Sequence, residues 1–241
     1  MARTAQGAQL TILHREKQLA LRAALIAEVN KAFPGWKFGD DTTYKMLEAS
    51  MAYLVRDGSE KSAALASSYY RLFRQIEMPG AAVLPELTLA GPPPLEQIRT
   101  ALRVTSQVAV AKSLGAGMPM EQAMGNAFVQ VSGSMSRLSL SAGRETVMSA
   151  VRSDPAAFGW SRDGTGDTCA FCSMLISRGP VYKEETVGFK SHDHCACFPV
   201  VAWAADDWTE SGRKMQDLWH QTGSLDTFRA ALKEQVAATA A

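Results

Sequence analysis

All four cysteines of this 241-residue chain fall in one short stretch, Cys169-Ala-Phe-Cys172 followed by His192-Asp-His194-Cys195-Ala-Cys197. The only other imidazoles are His14 and His220. A Cys-x-x-Cys turn aims two thiolates at one spot, and His-x-x-Cys makes the same bend with a ring nitrogen and a sulfur. Two such knuckles, joined by residues 173–191, describe a structural zinc site. Cys169 and Cys172 form the first half. The second half has three registers: His192 with Cys195, His194 with Cys197, or Cys195 with Cys197. A pair of disulfides, four free thiols or a redox-active Cys-x-x-Cys are the competing states.

Catalytic uses of the same residues meet specific obstacles. A zinc deaminase needs His-x-Glu ahead of Pro-Cys-x-x-Cys, whereas here Cys-x-x-Cys comes first and no glutamate follows His192 or His194 at that spacing. The His-Glu-x-x-His of a zincin is absent. Asp193-His194 suits a His-Asn-His nuclease, but such nucleases use a downstream asparagine and none follows Asn126. With every coordination position filled by Cys and His, no place is left for water or substrate, and the metal is structural.

The bulk composition demands no particular partner. Net charge is +1, so neither nucleic acid nor an acidic protein is called for electrostatically. Around the cysteines Arg152, Arg162, Arg178, Lys183 and Lys190 are diluted by Asp154, Asp163, Asp167, Glu184, Glu185 and Asp193, which reads as a mixed solvated face. No apolar run approaches the ~18–20 residues of a membrane span, and the first residues lack the apolar stretch of a secretory signal. A reducing cytoplasm is therefore the expected setting, which favours metal over disulfide.

The elements that must position the cluster are mostly helical. Ile12, Leu19, Ile26 and Phe33 recur every seven residues and predict a helix over 10–33 with that stripe inward. Further helices are expected over 42–55 and 59–76, separated at Asp57-Gly58. Residues 78–94, with Pro92-Pro93-Pro94, read as a connector. A helix from Leu95 should carry Ile98, Ala101, Leu102, Thr105, Val108 and Ala109 on one face. Others are expected over 121–131 and 144–152, with a weak stretch at Ser132-Gly-Ser-Met-Ser between them. The character changes near Ala156: 158–162 and 198–203 read as two short strands able to pair, flanking a knuckle that runs into a short helix at 169–177. Asp207-x-x-Glu210 resembles a capping box opening a helix to about His220, and Ser224 caps a last one. The resulting fold class is mainly α: a helical domain over 1–154, a small α+β zinc-stapled module over 155–204 and a C-terminal helical segment over 205–241. Zinc would compensate for a module core too small to hold alone.

One segment carries a family likeness. Gly159-Trp-x-Arg-x4-Asp-x-Cys-Ala-Phe-Cys-x-Met-Leu-x-Ser-Arg-Gly-Pro-Val-Tyr, then Phe189-Lys-x-His-Asp-His-Cys-x-Cys, resembles the MuF-like minor capsid proteins of actinobacterial tailed phages, within the wider phage head-morphogenesis family. Gln18-Leu-Ala-Leu-Arg and Ser62-Ala-Ala-Leu-Ala-Ser-Ser-Tyr-Tyr extend the resemblance over most of 15–203. The family motif places His three before the first cysteine of Cys-x-Cys, which implies the register of His192 with Cys195; Asp193 and Ala196 stand where the wider family has proline and arginine. The resemblance implies a low-copy protein of the virion head interior, assembled in the bacterial host cytoplasm. Its partners would be the portal or the major capsid protein, with packaged DNA as a further one and no membrane. Members are often labelled capsid maturation proteases, but no Ser/His/Asp spacing here supports a protease. The readings in competition are thus a docking protein, a protease or nuclease, and a zinc-knuckle nucleic-acid binder. In the first, the loop 179–191 would present Val181, Tyr182, Val187 and Phe189 to a partner or fold them over the module's own core.

Overall fold

A computed structural model describes residues 4–81, 86–164, 168–182 and 188–240, with side chains to 235. The chain is mainly helical, with one two-stranded antiparallel sheet beside the Cys/His cluster and helices at the C-terminal end. The helices are α1 (Ala5–Ala32), α2 (Asp41–Glu77), α3 (Leu95–Arg103), α4 (Ala109–Gly115), α5 (Met120–Ser153), α6 (Ala170–Ile176), α7 (Glu210–Thr222) and α8 (Leu225–Ala240). The strands are β1 (Gly159–Asp163) and β2 (Phe198–Ala202). Of the proline-rich connector, 82–85 lie outside the described residues, and 86–94 carry no regular structure.

Two long helices, α2 and α5, form the most extensive pairing. The first runs unbroken where two helices and a stop at Gly58 were expected. Gly58 is a contact point instead: a Cβ there would stand 2.7 Å from Leu25 Cδ1 and 3.0 Å from Ser139 Cβ. Dense packing on both sides outweighs the roughly 1 kcal/mol helix penalty of glycine. The same physics carries α5 straight through Ser132–Ser136, the expected weak stretch. Its small residues are buried, and Ser136 Oγ donates to Ser132 O at 2.7 Å, so the hydroxyl is satisfied within the helix.

The inward face of α1 also differs from the heptad reading. Ile12 is 37% exposed, Leu19 and Ile26 are half-buried, and of that stripe only Phe33 is buried. The buried positions are Gly7, Thr11, His14, Gln18, Leu25 and Val29. Polarity hides this face because α2 supplies the partners. Gln18 Nε2 donates to Ser62 O at 3.1 Å, Ser62 Oγ donates to Gln18 Oε1 at 2.8 Å, and the His14 ring stacks on Tyr69 at 4.4 Å. Burial, aided by nearby Lys17, pushes His14 down to about 4, so its ring is neutral at physiological pH. Between α3 and α4 a π turn, Val104–Val108, inserts one extra residue and rotates the face. Val108, expected inward, is 48% exposed, while Ser106 and Val110 are buried.

The core has two main clusters strung along the same pair of helices. One joins α1, α2, α3, α4 and α5 through residues such as Val29, Met51, Val55, Leu102 and Met135. The other joins Tyr69, Tyr70 and Phe73 of α2 and Val147 and Val151 of α5 to Trp160, Tyr182 and Val201. Core residues from 160–201 thus pack directly on the helical body. A buried ion pair ties the same junction. Arg74 Nε donates to Asp154 Oδ2 at 2.6 Å, Tyr70 OH donates to the same oxygen at 2.8 Å, and Ala156 N donates to Oδ1 at 3.0 Å. Burial alone would raise the Asp154 carboxyl, but these donors hold it below its ordinary value.

Strands β1 and β2 pair with Trp160 opposite Val201 and Arg162 opposite Pro199. Both are buried along their whole length. Period-two alternation puts Trp160 and Arg162 on one face, toward Tyr182 and Phe189, while Asp163 bonds to Ser211. The cap of α7 is Thr209, whose Oγ1 accepts from Gly212 N at 3.0 Å, rather than the expected Asp207. Asp207 is occupied elsewhere: Trp203 N donates to its Oδ2 at 3.0 Å, holding the exit of β2. Ser224 caps α8 as expected, accepting from Thr227 N at 3.3 Å.

Candidate metal centre

The first half-site is built on a helix start. Cys169 is the N-cap of α6, in an extended conformation, and its sulfur accepts from Cys172 N at 3.5 Å. The Cys-x-x-Cys spacing therefore spans cap to first turn, which turns both sulfurs toward the same side. Gly179, with φ of +67°, bends the chain away beyond α6. The second half-site is a tight turn in which Cys195 N donates to His192 O at 3.1 Å. It leads straight into β2.

Cys169, Cys172 and His192 form one group with donor atoms within 4.8 Å of one another, and Cys172, Cys195 and Cys197 form a second. Cys172 belongs to both. His192 Nε2 lies 3.0 Å from Cys169 Sγ and 3.4 Å from Cys172 Sγ, and Cys172 Sγ lies 3.8 Å from Cys195 Sγ. All four cysteines are free thiols; a disulfide needs sulfurs about 2.05 Å apart. His192 Nδ1 sits 2.6 Å from Asp193 O. With its proton donated there, Nε2 presents a lone pair to the sulfurs. Together these five side chains could hold a metal ion.

Electrostatics favours a cation among them. Burial opposes ionisation of Cys169, yet the Cys172 N–H and His192 bring its thiol below the ordinary value. Donation from Cys172 and the charge of Arg144 draw Cys195 strongly down, and Cys172 is driven up in return. Sulfurs this close cannot all ionise unless a positive ion compensates them.

His194, the rival ligand, is turned elsewhere. Its backbone is left-handed, φ +64°, and its ring lies against α5. A Cβ at Gly133 would stand 2.4 Å from His194 Nε2, so only glycine admits the ring. Asp193 is held by Arg137, whose Nε donates to Oδ1 at 2.7 Å.

No sequence motif marks what α5 contributes. Arg144, buried, donates from Nε to Cys197 O at 2.9 Å, from Nη2 to Cys195 O at 2.8 Å and from Nη1 to Ser191 Oγ at 3.1 Å. Burial pulls its guanidinium below the ordinary value, opposed by the neighbouring sulfurs. Arg162 is also buried; it lies 3.7 Å from the Phe189 ring centre and donates to Lys190 O at 3.0 Å. A signal existed: Arg144 is the first charge after Leu138-Ser-Leu-Ser-Ala-Gly, a run with no other reason to carry one. Among the loop residues considered for docking, Val181 is 63% exposed and Val187 lies outside the described residues. Tyr182 is buried, stacks on Trp160 at 4.5 Å and donates to Leu175 O. Phe189 packs on Trp160 and under Arg162. These two rings cover the core.

The family described as VG15 protein matches residues 5–222. The gene 15 protein of Mycobacterium phage D29 is 39% identical over 85 residues, which is 34% of this chain and 28% of that protein. The gene 15 protein of Mycobacterium phage L5 is 35% identical over 98 residues, 39% of this chain and 30% of that protein. The aligned stretch thus spans less than a third of either relative's length. No solved structure matches the chain.

Proposed function

The chain belongs to the VG15 family, and from the MuF-like resemblance of its Cys/His segment we propose that it is a phage minor capsid protein that docks on the portal or inner capsid surface during head assembly and DNA packaging, catalysing no reaction and holding a structural zinc. The observation that carries the non-catalytic, structural-zinc part of this reading is the donor set. Four cysteines and His192 offer more donors than a four-coordinate ion takes, so protein ligands can fill every position, as in structural centres. Catalytic zinc keeps a position for water.

Zinc suits the spacings. Bonds of about 2.3 Å to sulfur and about 2.0–2.1 Å to nitrogen give tetrahedral edges of about 3.8 Å between sulfurs and about 3.5 Å between sulfur and nitrogen. The Cys172–Cys195 and Cys172–His192 separations are 3.8 and 3.4 Å, and Cys169–His192 is closer at 3.0 Å. Cys195 is grouped with Cys172 and Cys197, so closing a tetrahedron needs a small shift of the 192–195 turn. Cys169, Cys172, His192 and Cys195 would be the ligands, with Cys197 as a neighbouring thiol. The metal would pin the turn at 192–195 to α6 and so hold the surrounding shape. Near-neutral charge and the MuF-like resemblance support a protein partner over nucleic acid. Among the described residues no helix is long and apolar enough to cross a membrane.

The test is incubation of the metal-loaded protein with purified major capsid protein and, separately, with portal-containing heads. Stable co-sedimentation with heads and an intact capsid subunit are expected. Cleavage of the subunit, or no association with heads, overturns the reading.

A further inference from the structure

We propose that Arg144 is the positioning residue of the metal centre: from the C-terminal third of α5 it fixes the path of the second half-site and supplies the counter-charge to an anionic metal–thiolate group. This rests on the structural-metal reading above. The three hydrogen bonds of Arg144, to Cys195 O, Cys197 O and Ser191 Oγ, grip the chain on both sides of Cys195. A single rigid fork thereby sets where the Cys195 sulfur sits relative to Cys172.

Charge adds a contribution separate from the grip. Every one of those acceptors is neutral. Arg162 is buried a few residues along β1 with only Lys190 O and the Phe189 ring as partners, and its Nε and Nη1 have no acceptor among the described residues. Both guanidiniums face the same Phe189 ring, at 5.2 and 3.7 Å from its centre. Neither meets a carboxylate among the described residues. Two buried cations without an anion would be costly. A divalent ion bound by three thiolates carries one net negative charge, and by four carries two. A loaded centre of three or four thiolates therefore keeps a net negative charge beside two buried arginines that no carboxylate among the described residues meets. In return, the arginines make the site favour thiolate-rich coordination.

The experiment measures metal affinity by chelator competition in the full chain, together with the sulfur-to-metal charge-transfer bands of the cobalt-substituted protein. The forms compared are wild type, Arg144→Met and Arg144→Lys. Loss of the fork should lower affinity about 10- to 100-fold, the usual effect of removing an outer-shell partner, and should shift the cobalt bands. Arg144→Lys, which keeps the charge but not the fork, should fall between and guards against a Met variant that does not fold. Unchanged affinity and unchanged bands in Arg144→Lys, or in a folded Arg144→Met, overturn the role of Arg144. A wild-type chain that takes up no metal overturns the structural-metal reading itself.

Discussion

His192 and His194 stand two positions apart and the fold turns them to different uses. Residue types and spacing were enough to pick out the cysteines and narrow the imidazoles to two, because Cys-x-x-Cys and His-x-x-Cys bends are local. The choice between the histidines was not local. It depends on a left-handed backbone at His194 and on the gap over Gly133, a residue of α5 sixty-one positions away. Arg144 escaped for the same reason, since its partners are carbonyls of a distant turn. The geometry predicts that His192→Ala weakens metal retention by more than His194→Ala, by roughly tenfold or more in chelator competition. Cys197 lies close enough to Cys172 to take over in part, so retention in His192→Ala should not fall to zero. Equal losses in the two variants would transfer the ligand role away from His192.

Among the elements, the strands, α6 and the C-terminal helices were readable because short-range pattern controls them. The long helices were misread at Gly58 and Ser132–Ser136, where glycine and serine act as spacers for close packing instead of breaks. The junction at the end of α5 shows how such an element is held. Asp154 closes the helix and meets both Arg74 and Tyr70 in a buried site. Removing one member leaves a charge without its counterpart, which costs about 3–5 kcal/mol. Asp154→Ala should therefore lower Tm by on the order of 10 °C for a chain this long. Arg74→Met combined with Asp154→Leu should recover part of that loss, since apolar replacement of both partners removes the stranded charge. A double variant no better than Asp154→Ala would mean that the pair acts by geometry and not by charge.

At the scale of the whole molecule, the decisive feature is that 155–204 has only a small cluster around its cysteines and shares its larger one with the helical body. Trp160, Tyr182 and Val201 share one cluster with Tyr69, Tyr70, Phe73 and Val151, and Arg144 reaches from α5 into the turn that carries Cys195. A module read from composition alone has too few apolar residues to stand by itself; packing on the body is how the chain meets that shortfall. Unfolding the metal turn would expose rings that α2 and α5 bury, so the two parts should melt together. Thermal unfolding followed by helical circular dichroism, which reports mostly on α1, α2 and α5, should coincide with unfolding followed by tryptophan fluorescence, to which Trp160 and Trp203 contribute from the junction. A chelator should lower both midpoints together, because a ligand bound only to the native state stabilises everything that unfolds with its site. Two separated transitions, with only the fluorescence one moved by chelator, would show instead that the shared core is too weak to couple the metal turn to the helices.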